Sequence, residues 1–197
     1  MAGTNSQIVF ATNNLNKLYE VQNILGNQFK LVTPIDLGIS EDIPEDFDTL
    51  EQNALQKARY IFQKTGISCF ADDTGLEVEA LNGAPGVYSA RYAGLQKDPK
   101  DNIRKLLNEI KGAENRNARF RTVVALIYNA KEHLFEGIVD GKIIDQERGQ
   151  NGFGYDPIFV PNGYTLTFAE LPLSEKNKIS HRAKAIQGLV EFLHGTL

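Results

Sequence analysis

The stretch that decides the fold spans residues 8–33 and reads IVFATNNLNKLYEVQNILGNQFKLVT. Its apolar start, residues 8–11, is rich in strand-forming side chains, and a polar turn follows at 12–16. Apolar residues then recur at helical spacing until Gly26, and residues 29–32 predict a second strand. A strand, a helix and a strand in succession are typical of α/β proteins.

The rest of the chain continues this alternation of helices and strands. A helix is predicted to begin after Thr49 and to end at Gly66, and another to begin at Asp98 with Pro99 in its first turn. A final helix is predicted after Ser180. The remaining predicted strands cover residues 67–71, 120–128 and 134–144, the last two joined by a turn at 129–132. A hairpin beside a strand–helix–strand unit predicts a mixed sheet.

Composition excludes several classes of protein. The chain has 197 residues, of which 42% are hydrophobic and 23% charged, an ordinary globular balance. Its longest apolar run, residues 123–128, is far shorter than the roughly 18 residues of a membrane helix. The start, MAGTNSQ, has no basic or apolar stretch, so we expect neither a secretory signal nor membrane association.

Charge and cysteine content narrow the choice further. The net charge is −4, which argues against binding along a nucleic-acid backbone. The single cysteine, Cys69, allows no disulfide within the chain and is predicted to be a small buried side chain. Both features fit a cytoplasmic protein.

Two polar segments follow predicted strands. The turn TNNLNK at 12–17 precedes a helix, whose first backbone N–H groups favour an anion near Lys17; an Asn-rich loop with a capping residue is the structural alternative. Asp72 and Asp73 follow an apolar strand, at the kind of strand end where α/β sheets bind ligands. Paired carboxylates there suit Mg²⁺ or a general base, and an ordinary turn over 72–75 is the alternative.

A glycine-rich segment, GFGYDP at 152–157, combines two aromatic residues with a carboxylate. Phe153 or Tyr155 could stack on a flat ligand such as a nucleobase. Asp156 could accept hydrogen bonds from ring N–H groups. A tight turn before a strand is the alternative interpretation.

A cationic segment, EKNKISHR at 175–182, surrounds the start of the last predicted helix. Arg182 in the first turn could bind a phosphate through two hydrogen bonds. His181 could contribute to the same site or be a solvated surface residue. Carboxylates for a metal, cations for phosphates and aromatic rings for a base together point to metal-assisted hydrolysis of a nucleoside triphosphate.

In these motifs the chain resembles the inosine triphosphate pyrophosphatase family, the XTP/dITP diphosphatases. The resemblance runs from Ile8 to about Leu193. The matching segments are TNNLNK (12–17), EQNALQKA (51–58), ADDTGL (71–76), GAPGVYSARYAG (83–94), GFGYDPIF (152–159) and SEKNKISHRAKA (174–185). Their order and spacing are highly specific.

The resemblance implies the fold and the reaction. The expected fold is α/β, an elongated mixed β-sheet flanked by helices, forming one catalytic domain over residues 1–197 with two lobes and a central nucleotide-binding cleft. The expected reaction splits ITP, dITP or XTP into the nucleoside monophosphate and pyrophosphate, which keeps deaminated purines out of DNA and RNA. A homodimer, Mg²⁺ and purine nucleoside triphosphates are the implied assembly, cofactor and ligands.

The resemblance also implies residue roles. Asp73 is the expected metal-linked general base, and Asp72 a supporting carboxylate at the metal. The expected substrate contacts are Thr12, Asn13, Asn14, Lys17, Lys57, Thr74, Phe153, Gly154, Tyr155, Asp156, Lys176, His181 and Arg182. Many members carry Gly where this chain has Asn13, and a metal-linked Glu where it has Pro44. Glu45 is the nearest substitute for that second metal ligand.

Three other functions compete with this interpretation. The chain could perform the same reaction on other triphosphates, such as modified pyrimidine nucleotides. It could bind a triphosphate without cleaving it, an alternative that Pro44 keeps open and the intact ADDTGL argues against. A purely structural α/β protein would leave the clustered lysines and aspartates without a purpose.

Overall fold

The computed structural model describes residues 6–27 and 29–196. In this part of the chain it contains seven strands: β1 (Ser6–Phe10), β2 (Phe29–Val32), β3 (Cys69–Val78), β4 (Pro85–Gly86), β5 (Asn117–Tyr128), β6 (Lys131–Ile143) and β7 (Phe159–Pro161). The five α-helices described are α1 (Leu15–Leu25), α2 (Leu50–Thr65), α3 (Pro99–Glu109), α4 (Leu173–Ile179) and α5 (His181–Thr196). None of these helices is long and apolar enough to cross a membrane.

The strands form one mixed sheet. Their order is β2-β1-β3-β5-β6-β7, with β4 paired to β3. Strand β1 runs parallel to both β2 and β3, whereas β4 is antiparallel to β3 and β7 is antiparallel to β6. The mixed α/β architecture predicted from the sequence is therefore confirmed.

Local signals place the helix ends as predicted. Gly66 ends α2 in the left-handed conformation, at φ 67°, and its N–H donates to the carbonyl of Phe62. Thr49 caps the start of the same helix through its side-chain oxygen, which accepts from the N–H of Gln52 at 3.2 Å. Asp98 caps α3 in the same way, with Pro99 in the first turn. These caps lie within a few residues of the groups they satisfy, so the sequence alone predicts them.

Strand β3 is longer than predicted, and the alternative of a turn at 72–75 is wrong. The strand continues to Val78 because Leu76 and Glu77 pair with β4, and Leu76 is fully buried. Gly75 permits this pairing, since a Cβ there would lie 2.6 Å from the carbonyl oxygen of Gly86. The glycine therefore serves close strand packing, and Asp72 and Asp73 lie within a strand instead of at its end.

Two further elements differ from prediction. The hairpin turns on Asn129 and Ala130 alone, both with positive φ (49° and 59°), so β6 begins earlier than expected, at Lys131. The cationic segment forms a separate helix, α4, which the sequence analysis missed. Ser180, in extended conformation at ψ 153°, separates α4 from α5.

The chain divides into two compact units. Unit 1 contains Met1–Asp73, Thr122–Gly137 and Arg182–Leu197, and unit 2 contains Thr74–Arg121 and Ile138–His181. Each unit has its own apolar core. In unit 1 this core includes Phe10, Val21, Phe70, Leu126, Ile186 and Leu189; in unit 2 it includes Leu76, Ile103, Leu106, Phe120, Phe159 and Phe168.

Candidate active site

Strand β3 presents Asp72 and Asp73 to different surroundings. Successive side chains on a strand point to opposite faces of the sheet. Phe70 shares a face with Asp72, and its ring stacks on that of Phe10 at 4.5 Å in the core that α1 and α5 complete. Cys69 shares the other face with Asp73, and its Sγ contacts the carbonyl oxygen of Ala58 in α2 at 3.2 Å. Helices on both sides of one strand therefore surround two adjacent carboxylates.

The first of these carboxylates belongs to what we call the Asp72 cluster, composed of Lys17, Glu20, Asp72 and Arg182. Lys17 Nζ lies 2.9 Å from Asp72 Oδ1, and Arg182 Nε lies 3.1 Å from Asp72 Oδ2. Arg182 Nη1 also donates to Glu20. Asp72, Glu20 and Arg182 are all buried, with 2%, 5% and 1% of their surface exposed. Two cations face two carboxylates, so the formal charges of the cluster balance.

Within the Asp72 cluster, the surrounding charges favour the ionised forms of Asp72 and Arg182. Burial alone would raise the pKa of Asp72, but Lys17 and Arg182 outweigh it and hold that pKa well below its usual range. Burial lowers the pKa of Lys17, an effect that Asp72 opposes. The pKa of Arg182 is raised, because Glu20 and Asp72 outweigh the effect of burial. Asp72 is therefore ionised at neutral pH and binds both Lys17 and Arg182.

The second carboxylate belongs to the Asp73 cluster, composed of Glu45, Lys57 and Asp73. Lys57 Nζ lies 2.5 Å from Glu45 Oε1 and 3.1 Å from Asp73 Oδ1. The Lys57 side chain is buried, and so is Asp73. Asp73 Oδ2 is buried without a hydrogen-bond partner among residues 6–27 and 29–196. This cluster has two carboxylates and one cation, so its formal charge is negative.

The pKa of Asp73 shifts in the opposite direction from that of its neighbour. Burial raises the pKa of Asp73, and Lys57 and Lys17 offset this effect only in part, while Glu45 adds to it. The pKa of Lys57 is raised, because Asp73 and Glu45 together outweigh burial. A buried carboxylate with a raised pKa accepts a proton more readily, which suits a general base. Of the two aspartates, Asp73 therefore has the properties expected for chemistry.

The Asp73 cluster also fits a hard divalent cation. Within the described residues, no group of three or more Asp, Glu, His or Cys side chains could hold a metal by itself. Mg²⁺, however, is commonly bound by one or two carboxylates together with substrate phosphates. Asp73 and Glu45 supply two carboxylates, and both contact the same Lys57 ammonium. Glu45 and Asp73 are thus the two carboxylates of this cluster that could hold such an ion.

The predicted anion site at the start of α1 is partly occupied by the protein itself. Asn14 Oδ1 accepts from the N–H groups of Asn16 and Lys17 at 2.9 and 3.2 Å. Thr12 Oγ1 accepts in turn from the N–H of Asn14 at 3.1 Å. Two helix-start donors that the sequence analysis assigned to an anion are therefore capped, while Asn13 is exposed. The Lys17 ammonium lies in the Asp72 cluster, where it binds Asp72.

In unit 2, Asp156 and Lys176 form a buried ion pair. Asp156 Oδ2 accepts from Lys176 Nζ at 2.6 Å and from the N–H of Phe153 at 2.8 Å. Both charged residues are only 3% exposed. The Lys176 ammonium also lies 5.5 Å from the centre of the Phe153 ring. Asp156 thus holds the glycine-rich segment through a backbone N–H and binds Lys176. Within the segment, Gly154 adopts the left-handed conformation at φ 62°.

The two aromatic residues of this segment differ in position. Tyr155 is 4% exposed and belongs to the core of unit 2, where its hydroxyl donates to the carbonyl of Ser89 at 3.0 Å. Phe153 is only half-buried. Of the two rings predicted to stack on a base, Phe153 is therefore the one that remains accessible.

Three more predicted residues can be placed. His181 is 3% exposed and stacks on Phe120 at 4.6 Å, so the alternative of a solvated surface histidine is wrong. Thr74 follows Asp73 on β3 and is half-buried. Sequence reasoning missed Glu20, which binds Arg182. Its only signal was an acidic residue one turn beyond Lys17, next to the buried Val21.

Comparisons with known proteins show the family of this chain. The model of the Ham1 family matches residues 8–192. The chain belongs to the Ham1 family. The dITP/XTP pyrophosphatase of Flavobacterium psychrophilum is 55% identical over 186 residues, which cover 94% of this chain and 98% of the relative. The dITP/XTP pyrophosphatase of Porphyromonas gingivalis is 51% identical over 188 residues, covering 95% and 97%.

Solved structures give the same result for this Ham1-family chain. The Ham1 protein of Staphylococcus aureus superimposes with a TM-score of 0.88 at 39% identity, covering 98% of this chain and all of the other. A nucleoside-triphosphatase, dITP/XTP pyrophosphatase, from Mycobacterium abscessus superimposes with a TM-score of 0.75 at 42% identity, covering 93% and 98%. The family resemblance drawn from the sequence motifs is thereby confirmed.

Proposed function

We propose that this Ham1-family chain hydrolyses the deaminated purine nucleoside triphosphates ITP, dITP and XTP to the nucleoside monophosphate and pyrophosphate. One observation carries the proposal: 55% identity, over 94% of this chain, to a protein named dITP/XTP pyrophosphatase. The reaction removes hypoxanthine and xanthine nucleotides before they can enter DNA or RNA. The Asp73 cluster supports the proposal, because it combines a proton acceptor with groups suited to a metal and to phosphates.

In the proposed reaction, the Asp73 carboxylate accepts a proton from the attacking water. The water oxygen forms a bond to the α-phosphorus, and the bond from that phosphorus to the bridging oxygen breaks. Pyrophosphate leaves with the electron pair. Burial raises the pKa of Asp73 in the protein without metal, and a bound Mg²⁺ would act in the opposite direction.

We propose that Asp73 and Glu45 hold Mg²⁺. Asp72, the expected supporting carboxylate, acts through the two cations that it binds, Lys17 and Arg182. The donor set fits, because hard carboxylate oxygens and a negative formal charge around Lys57 are what this ion prefers. When bound, Mg²⁺ would neutralise charge that develops on the leaving pyrophosphate. Lys17 and Lys57 would offset the remaining phosphate charge, a kind of contact whose loss typically costs about 10²–10³ in rate.

The base contacts are proposed separately, in unit 2. Hypoxanthine and xanthine present a 6-oxo acceptor and an N1–H donor, and adenine presents the opposite pattern. Lys176 can donate and Asp156 can accept, and Phe153 offers a ring for stacking. A buried site built for one hydrogen-bonding pattern rejects the other by roughly 10⁴–10⁵. We assign Arg182 to holding the Asp72 cluster together, since Glu20 and Asp72 already bind its guanidinium.

We also propose that the protein is a homodimer and works in the cytoplasm. The candidate contact surfaces are the segment 83–94, in which Tyr88 is 47% exposed, and the hairpin of β5 and β6. Light scattering coupled to size-exclusion chromatography would give twice the monomer mass of 21.9 kDa if the proposal holds. The cytoplasmic location follows from the proposed substrates, which belong to the free nucleotide pool.

The function is tested by incubating the purified protein with Mg²⁺ and ITP, dITP, XTP, GTP or ATP separately, followed by ion-exchange separation of the products. We expect monophosphate and pyrophosphate from the first three, and little cleavage of GTP or ATP. Release of orthophosphate would move the attack to the γ-phosphorus and contradict the mechanism. Tight binding of ITP without cleavage would instead favour a nucleotide sensor.

A further inference from the structure

Lys57 contacts both carboxylates that we assign to the metal. Its Nζ lies 2.5 Å from Glu45 Oε1 and 3.1 Å from Asp73 Oδ1, which makes it a bridge between them. The side chain extends from the most buried face of α2, beside Ala54, Ala58 and Ile61, which are fully enclosed. Because its stem is packed in this way, the ammonium is directed at the two carboxylates.

We infer that Lys57 is a tethered cation that occupies the metal position of the free enzyme, so that the divalent ion binds well only together with the nucleotide. The inference rests on the proposed metal-assisted hydrolysis and adds a control on the order of binding. Before the nucleotide binds, Lys57 competes with the metal for the two carboxylates. After the nucleotide binds, Lys57 contacts its phosphates, as proposed above.

The first argument is the balance of charge. Two carboxylates and one ammonium leave the Asp73 cluster with one formal negative charge. A divalent ion added to this cluster would give three positive charges to two negative ones, beside the Lys57 and Asp73 side chains, which are only 6% and 10% exposed. The ammonium and the metal ion therefore repel each other as long as no further anion is present.

The second argument is the unused capacity of Asp73. Its Oδ2 is buried and has no hydrogen-bond partner among residues 6–27 and 29–196, whereas Oδ1 binds Lys57. A buried acceptor left unsatisfied is costly, so native proteins rarely retain one without a function. One oxygen of Asp73 is thus neutralised by the protein's own cation, and the other remains to receive an external one.

The nucleotide would resolve the conflict. A triphosphate brings several negative charges, and its oxygens are the ligands with which Mg²⁺ usually completes its coordination. The same phosphates offer the Lys57 ammonium a new anion to contact. Metal and nucleotide would therefore strengthen each other's binding, and metal alone would bind weakly.

The test measures binding of Mn²⁺ alone, without nucleotide, by calorimetry or by electron paramagnetic resonance of the free ion. Loss of a group that supports metal ligands typically lowers metal affinity by about 10–100-fold. Lys57 opposes the metal in the free protein, so its loss should act in the opposite direction. We expect Lys57→Met to bind Mn²⁺ tighter than the wild type by about this factor. Lys57→Arg keeps the positive charge and should bind as weakly as the wild type. The double variant Lys57→Met/Asp73→Asn should lose the gain.

A matched control is available on the same helix. Lys64 also forms an ion pair with a glutamate, Glu41, but on the exposed surface. Lys64→Met should leave the affinity for Mn²⁺ unchanged. Circular dichroism would verify the fold of each variant. If Lys57→Met does not fold, Lys57→Gln replaces it in the binding measurement.

A folded Lys57→Met or Lys57→Gln variant whose affinity for Mn²⁺ equals that of the wild type would overturn the inference. Because this measurement needs no nucleotide, its result is independent of the substrate. Failure of the wild type to hydrolyse any deaminated nucleotide would contradict the proposed function, whereas an unchanged affinity for Mn²⁺ would contradict only the role of Lys57.

Discussion

Asp72 and Asp73 are adjacent on one strand, yet the charges and hydrogen bonds around their carboxylates differ. The Asp72 cluster is closed, with two cations for two carboxylates and both Asp72 oxygens bound. The Asp73 cluster has more carboxylates than cations and contains a buried oxygen, Asp73 Oδ2, without a partner in the described chain. The comparison teaches that burial alone does not decide the role of a carboxylate. The ratio of cations to anions around a buried carboxylate decides its role.

The largest expected effect separates the two aspartates by activity. Asp73→Asn should lower turnover of dITP by about 10²–10⁴, because it removes the general base. The free energy of unfolding at neutral pH should stay the same or rise, since the pKa of Asp73 is raised and its ionised form is a cost to the fold. Steady-state kinetics and urea unfolding of the same preparation check both parts. Turnover near that of the wild type would refute the assignment of Asp73.

The two clusters also differ in how far the sequence could predict them. Lys17 and the two aspartates are visible in motifs, and the caps of α2 and α3 follow from neighbouring residues. The pairing of Arg182 with Glu20, 162 residues apart, depends on the packing of α1 against α5. Such non-local contacts leave no local pattern, which is why Glu20 was missed.

The continuation of β3 was missed for a similar reason. Asp, Thr and Gly are all turn formers, so the residues after Ala71 favour a turn when taken alone. Pairing with β4, ten residues further on, overrides this preference. The opposite pKa shifts of two adjacent aspartates could not be predicted either, because they depend on charged residues that are distant along the chain, both before and after β3.

The second prediction concerns stability. Arg182→Met should lower the free energy of unfolding by about 3–5 kcal/mol, because it leaves Glu20 and Asp72 buried without their shared cation. Adding Glu20→Gln to this variant should recover part of the loss, since it removes one of the two carboxylates that lost Arg182, while Asp72 keeps Lys17. Urea unfolding of the wild type, both single variants and the double variant measures the coupling. A loss below about 1 kcal/mol in Arg182→Met would show that the cluster is more solvated than its burial indicates.

The third prediction uses pH. The pKa of Asp72 in the fold lies below its ordinary value of 3.8, so its contribution to stability is present above that value and is lost as pH falls further. The pKa of Asp73 is raised, so its cost to stability disappears as the pH falls. Between pH 5 and pH 3, Asp72→Asn should therefore lose less stability than the wild type, and Asp73→Asn should lose more.

The scale of this effect is about 1.4 kcal/mol for each unit by which the folded and unfolded pKa values differ. Urea unfolding at intervals of half a pH unit resolves such differences between the three proteins. Equal slopes for both variants would mean that the two carboxylates share one environment, contrary to the arrangement of β3.

The smallest expected effect is at Arg59, which lies two residues from Lys57 on α2 and binds Glu132 through two nitrogens, at 2.6 and 2.7 Å. This geometry is as good as any in the buried clusters, but the side chains of Arg59 and Glu132 are 49% and 40% exposed. Water screens both charges, and ordering two long side chains costs entropy. Arg59→Gln should therefore change the free energy of unfolding by less than about 1 kcal/mol and leave turnover unchanged. A loss as large as that of Arg182→Met would mean that hydrogen-bond geometry, and not burial, determines how much the buried clusters contribute to the free energy of unfolding.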